Sequence, residues 1–203
     1  RFFTFMEKKR PYVILKWAQT IDGYIGLANR ELAISNHFSK TLLHKWRSEE
    51  AAIMVGTNTA LNDDPLLDAR LWNQQQPLRI ALDRNLRLPM TLHLFNGTVA
   101  TLVFTSRQRE PLPNIEFVII NFETGLIEQV LSKLHERQIQ SVLVEGGSSL
   151  LQTFINSGQW DEARIFIASK ILGNGIAAPE MEGHIIAKER IGDDDLIILQ
   201  RRP

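Results

Sequence analysis

Cysteine is absent from the 203-residue chain. That absence removes disulfides, thiolate nucleophiles, iron–sulfur clusters and cysteine-ligated zinc, including the thiolate–zinc centre on which nucleobase deaminases depend. It fits a reducing compartment, and a cytoplasmic location is the expectation. Histidine is sparse as well. The five residues His37, His44, His93, His135 and His184 contain no HxH or HxxxH spacing, so no metal site is expected. Nor is there a surplus of either charge. Twenty-three Lys and Arg balance 23 Asp and Glu, which leaves no electrostatic footprint for nucleic acid or an anionic membrane. No apolar run reaches the roughly 18 residues of a spanning helix, and even PYVILKWA is interrupted by Lys16. With 12 glycines and 8 prolines, collagen-like and low-complexity readings also fail.

What remains has the composition of a folded domain. Hydrophobic residues make up 44% and charged residues 23%, enough apolar side chain to offset the ordering entropy of a core. Residues 1–10, RFFTFMEKKR, lack both an initiator methionine and a signal-peptide cleavage pattern. They read as a linker from an upstream domain, with one domain over 11–203. Beyond the linker, strand-like and helix-like periods alternate. Strands are expected over 12–18, 52–55, 78–82, 99–105, 117–120, 141–144 and 165–168. Helices are expected over 38–47, 126–137 and 148–156, the first capped by Ser35 or Asn36. In the helix over 38–47, Phe38, Leu42, Leu43 and Trp46 share the expected core face, and His44 is expected on the surface. The tail, 185–191 and 196–200 around Gly192, reads as a hairpin whose Asp193–Asp195 tip is solvated. This order implies an α/β fold with a mostly parallel sheet and a C-terminal antiparallel hairpin.

Four clusters could carry chemistry. In VLVEGGSSLLQTF a buried strand delivers Glu145, then Gly146 and Gly147, then a helix opening on Ser148 and Ser149. Free helix N-terminal amides beside backbone without β carbons suit a phosphate. The same order also makes an ordinary serine-capped turn, and it matches neither GxGxxG nor a Walker sequence. MVGTNTALNDDPLLDAR repeats the strand–glycine order and adds Thr59, Asp63, Asp64, Leu67 and Arg70. Its plainer reading is a capped helical turn whose acids hold loop amides. Lys16 sits inside a strand otherwise fit for burial, a position more often held by an edge lysine. Arg84 directly follows a strand, where sites for a 2′-phosphorylated cofactor often place a basic residue, although a solvated turn is the commoner role.

Taken together and in this order, LKWAQTIDG, IMVGTNTALNDDPLLDAR, QPLRIALDRNLRLP, SVLVEGGSSLLQTF and DEARIFIASKILG resemble the reductase domain of bacterial riboflavin-biosynthesis deaminase/reductases. The resemblance runs over about 10–199. It implies a fold similar to dihydrofolate reductase and NADPH-dependent reduction of 5-amino-6-(5-phosphoribosylamino)uracil to the ribitylamino compound. It further implies a homodimer and a covalently linked N-terminal zinc deaminase domain. Matching positions imply cofactor contacts at Ala18, Thr59, Asp63, Gly146, Gly147, Ser148 and Ser149, with Arg84 added for the 2′-phosphate. They imply substrate contacts at Arg47, Leu67, Arg70 and Glu145, the arginines taking the ribose phosphate. Lys16, Asp63 and Glu145 are the candidates for assisting proton transfer. The loop over 30–34 departs from the family pattern: Glu31, Leu32, Ala33 and Ile34 stand where many relatives carry Ser-x-Trp-Ile. Two other readings compete with this one, a dihydrofolate-reductase-like enzyme for another pteridine or pyrimidine, and a non-catalytic nucleotide-binding module.

Overall fold

In the computed structural model, which describes residues 1–27, 32–72 and 75–202, strand β1 (Tyr12–Thr20) lies inside a nine-stranded sheet. With β2 (Tyr24–Gly26), β3 (Ala52–Gly56), β4 (Leu78–Leu82), β5 (Thr101–Thr105), β6 (Ile115–Ile119), β7 (Ser141–Val144), β8 (Glu162–Ala168), β9 (Ile176–Ala177), β10 (His184–Ile191) and β11 (Asp194–Gln200), the main sheet has the order β10-β11-β8-β1-β7-β3-β4-β5-β6. From β8 to β6 every neighbouring pair is parallel. β11 runs antiparallel to β8 and is joined to β10 as a hairpin. β2 and β9 pair separately.

Parallel strands buried on both faces need apolar residues throughout, which explains the near-continuous VILKW and AIMV runs. The pleat sends Val13, Leu15 and Trp17 to one face, against α4 (Leu126–Glu136) and α5 (Ser148–Asn156). Ile14 faces the other way, toward α2 (His37–Glu49), where Trp46 stacks on Phe166 at 5.3 Å. The period of two puts Lys16 on this second face as well. It therefore lies buried between neighbouring strands, not at an edge. No helix among the described residues is long and apolar enough to cross a membrane.

Several expectations are corrected. Residues 2–8, for which no helix is expected, form α1 (Phe2–Lys8), with Phe5 buried against His135. Arg10 then anchors the segment through two bonds, 2.6 and 2.8 Å, to Asp161. Phe38 is 65% exposed and leaves the core face of α2 to Trp46 and the partly buried Leu42 and Leu43, while His44 is 1% exposed and therefore not a surface residue. Asp194, expected in solvent, is buried. It accepts bonds from the Asn36 amide (2.8 Å) and the Ser39 hydroxyl (2.6 Å), tying the start of α2 to the hairpin. The cap itself is as expected, the Asn36 side chain accepting from the Ser39 amide at 3.0 Å.

Candidate active site

A cleft of about 920 Å³ opens where β1, β3 and β7 end, between α2 and the starts of α3 (Thr57–Asp63) and α5. Open parallel sheets present their ligand sites at this carboxyl edge. The strands end in register, Val144 lying beside both Leu15 and Met54. The Glu145 amide then bonds the Met54 carbonyl at 2.9 Å, and the Gly56 amide bonds the Gly146 carbonyl at 3.2 Å. Gly146 has φ +130, a conformation that favours glycine. Gly147 has an ordinary φ of −76, but a β carbon there would lie 2.9 Å from the Thr59 hydroxyl oxygen. Its constraint is therefore close approach. Two helices, α3 and α5, thus begin beside each other at glycines. The α5 first-turn residues Ser148, Ser149 and Leu150 line the cleft, where their amides have no intrahelical acceptor. The Ser148 hydroxyl donates to the Ala177 carbonyl at 2.8 Å, fastening β9 over this end.

Across the cleft lies a charged cluster. Arg47 reaches from α2 and grips Glu145 with both prongs, Nε to Oε1 at 2.7 Å and Nη2 to Oε2 at 2.6 Å. Its remaining nitrogen donates to the Asp68 carbonyl at 3.1 Å. Burial pushes the Glu145 carboxyl up, but Arg47 and then Lys16 more than offset this and hold it below the ordinary carboxylate value. Burial, with Arg47 adding to it, pushes the Lys16 ammonium down to about 8, against the opposing pull of Glu145. Its Nζ lies 5.6 Å from the centre of the Phe166 ring. Arg70 pairs with Asp68 on the same rim, and Asp64 accepts from the His93 backbone amide while its second oxygen pairs with the ring Nδ1.

The cleft wall brings together Lys16, Ala18, Arg47, Thr59, Asp63, Arg70, Glu145, Gly146, Gly147, Ser148 and Ser149. Two predicted contacts are not in it. Leu67 is 1% exposed and packs with Ile53, Val55 and Ala60, so its side chain belongs to the core. Arg84 stands just beyond β4, half exposed and paired with Glu123. Arg47 lines the cleft, yet its fork is filled by Glu145, which makes it the group that positions that carboxylate. Leu32, Ala33 and Ile34 line the cleft, while residues 30 and 31 of that loop lie outside the described residues. Sequence reasoning missed His44, Arg87 and His93, all in the wall. For His44 a signal existed: it precedes Arg47 by three residues, one turn along the same helix face.

Residues 11–188 match the family model described as the RibD C-terminal domain. The chain is 33% identical to the riboflavin biosynthesis protein RibD of Aquifex aeolicus, over 99% of this chain and 60% of that one. It is 32% identical to the 2,5-diamino-6-ribosylamino-4(3H)-pyrimidinone 5′-phosphate reductase of Methanothermobacter thermautotrophicus, over 86% of this chain and 85% of that one. Among solved structures, the diaminohydroxyphosphoribosylaminopyrimidine deaminase/5-amino-6-(5-phosphoribosylamino)uracil reductase of Thermotoga maritima superposes with a TM-score of 0.88 at 29% identity, over 99% of this chain and 59% of that one. Dihydrofolate reductase of Enterococcus faecalis, at 14% identity and a TM-score of 0.55, shares the fold. The chain thus spans about 60% of the RibD protein from Aquifex and of the solved Thermotoga protein.

Proposed function

From its membership of the RibD C-terminal domain family, we propose that this chain is an NADPH-dependent reductase of a phosphoribosylamino-pyrimidine in riboflavin biosynthesis. The specific substrate proposed is 5-amino-6-(5-phosphoribosylamino)uracil, reduced at the sugar C1′ to the ribitylamino product. The observation that carries this is the placement of the Gly146–Gly147 turn and the Lys16–Glu145–Arg47 cluster on one cleft. The turn suits a dinucleotide pyrophosphate, because a β carbon at Gly147 would already crowd Thr59 and the α5 amides face the same space. When bound, the cofactor supplies the hydride. The protein's part is to hold the substrate, exclude water and provide a proton. Arg70 holds the phosphate, and its present partner Asp68 is a rim carboxylate that a dianion can displace. Glu145, fixed by Arg47, holds a pyrimidine N–H or a ribose hydroxyl. Lys16, buried beside it, is the group we assign to proton delivery near C1′. Following NADPH oxidation with this pyrimidine tests the reading directly, and absence of turnover would leave a binding module or another pteridine reductase. A second reading, the 2,5-diaminopyrimidinone phosphate as substrate, is favoured by the identity to the archaeal reductase. Competition between the two pyrimidines decides it. A homodimer and an attached zinc deaminase domain complete the proposal.

Three outcomes follow from these roles. Arg70→Ala should raise the substrate KM roughly 10- to 150-fold, the equivalent of losing one charge-assisted bond of about 1.5–3 kcal/mol, with NADPH affinity nearly unchanged. An unaltered KM would remove the phosphate assignment. Arg84→Ala should weaken NADPH more than NADH, since only the former carries a 2′-phosphate. The surface pair with Glu123 is no obstacle, because exposed pairs contribute at most about 1 kcal/mol. Equal effects on both dinucleotides, together with a selective loss in Arg87→Ala, would move the role to Arg87 in the cleft wall.

The third outcome is a pH profile. Protonated Lys16 is the donor, so kcat/KM should fall as pH rises through about 8, and Lys16→Met should lose that alkaline limb along with most of the rate. Unfolding does not explain such a fall. With the folded value below the ordinary 10.5, the unfolded chain binds more protons between about 8 and 10.5, so this group makes stability rise with pH there. A flat alkaline profile in the parent enzyme would exclude Lys16 as donor.

A further inference from the structure

His44 on α2 is buried, forms part of the cleft wall and sits one turn before Arg47. Its Nδ1 is sealed from water and has no hydrogen-bond partner among the described residues, and Asp68 Oδ1 lies 4.0 Å away. A histidine kept only for packing would be satisfied, because an unpaired buried polar atom is destabilising. Burial, then Arg47 and Arg70, push the imidazole down to about 4, so it is neutral at neutral pH and holds one donor and one acceptor nitrogen.

The surroundings select the tautomer. Asp68 Oδ1, 4.0 Å from Nδ1, is too far to accept a hydrogen bond, but its negative charge favours the proton on that nitrogen, which leaves the lone pair on Nε2. On this wall Lys16, Arg47 and Arg70 can only donate, and each Glu145 oxygen takes one bond from Arg47 and keeps a lone pair for the contact proposed above, so His44 is a second acceptor beside it. We propose that His44 is a substrate-contact residue whose Nε2 accepts a hydrogen bond from an N–H or hydroxyl of the bound pyrimidine nucleotide. The assignment rests on the reductase reading above and adds to it a specificity determinant: a buried acceptor on this wall rejects analogues that lack the donor. Such rejection is strong, because the unmatched polar group stays buried and unpaired.

The test uses the full chain. In the parent protein, nitrogen-15 NMR should show the Nδ1–H tautomer at His44, with an Nε2 resonance that moves when the pyrimidine substrate is added to the NADP⁺-saturated protein and not when NADP⁺ is added alone. His44→Leu should raise the substrate KM tenfold or more and leave the NADPH Kd within twofold, with Tm no lower than the parent's. His44→Gln, whose amide reaches the same place, should recover most of the affinity. An Nε2 resonance indifferent to substrate, or a His44→Leu enzyme with KM within twofold of the parent, overturns the proposal. The NMR arm needs no variant to fold. Turnover by the parent enzyme separates the two readings: if it fails, the reductase assignment fails, and if it succeeds with His44→Leu unchanged, only the histidine contact does.

Discussion

Gly147→Val should abolish NADPH binding in a domain that still folds. The backbone itself tolerates a side chain, since φ at Gly147 is −76. The space does not: the β carbon alone would lie 2.9 Å from the Thr59 hydroxyl oxygen, closer than real β carbons approach, and valine adds two methyls beyond it. Those methyls project between the starts of α3 and α5, where the pyrophosphate is proposed to meet the free amides. Because the Thr59 contact also strains α3, the cleaner variant is Gly147→Val with Thr59→Ala, compared with Thr59→Ala alone since Thr59 is itself an expected cofactor contact; it removes the clashing oxygen and leaves the cradle filled. Cofactor titration and thermal melting read the two effects separately. Loss of NADPH binding at a near-parental Tm in the double variant is expected. Tight binding in either variant would take the pyrophosphate away from this turn.

The second large effect is expected from the Arg47–Glu145 pair. Arg47→Ala leaves a carboxylate buried with Lys16 as its remaining counter-charge, and removing one partner of a buried pair typically costs about 3–5 kcal/mol. For a chain of this size that is a Tm decrease of roughly 6–20 °C at neutral pH. The pH dependence has a definite sign. The Glu145 value is held below the ordinary 4.5, so the pair contributes stability above that pH and loses it as pH falls through the folded value. The Arg47→Ala protein should therefore show a shallower acid loss than the parent. Arg47→Met with Glu145→Leu, which removes both charges of the pair and leaves a Lys16 that can shed its proton, should regain much of the Tm and none of the activity. Recovery of activity in that double variant would reduce the pair to scaffolding.

Much of this arrangement was legible in the sequence because it follows from local rules. The strand over 78–82, the strand over 141–144 and the helix over 148–156 are found with the boundaries that period and turn residues imply. The glycine turn and Lys16 stand out for similar reasons, a costly backbone choice in one and a charge in an apolar run in the other. What escaped depends on contacts distant in sequence. Asp194 is buried because Ser39, 155 residues away, donates to it, and no local pattern marks that. Leu67 sits near the site in sequence, yet a φ of +47 at this residue accompanies a side chain buried in the core. His44 and Phe38 exchanged their expected environments. The hairpin meets α2 at its N-terminus, where Phe38 lies beside Gly192, while the cleft claims the face carrying His44 and Arg47. The linker reading of 1–10 rests on the lack of an initiator methionine and of a signal-peptide pattern, neither of which bears on the burial of Phe5 that holds α1.

The central claim is that this cleft joins a nicotinamide cofactor to a ribose C1′. Its most direct test is a single-turnover reaction with NADPH deuterated at the transferable C4 position and 5-amino-6-(5-phosphoribosylamino)uracil, the product then being analysed by NMR. The account predicts deuterium at C1′ of a ribityl chain, in step with NADPH oxidation, and no transfer by Gly147→Val. NADPH left unoxidised, or label recovered on the pyrimidine ring, would contradict it.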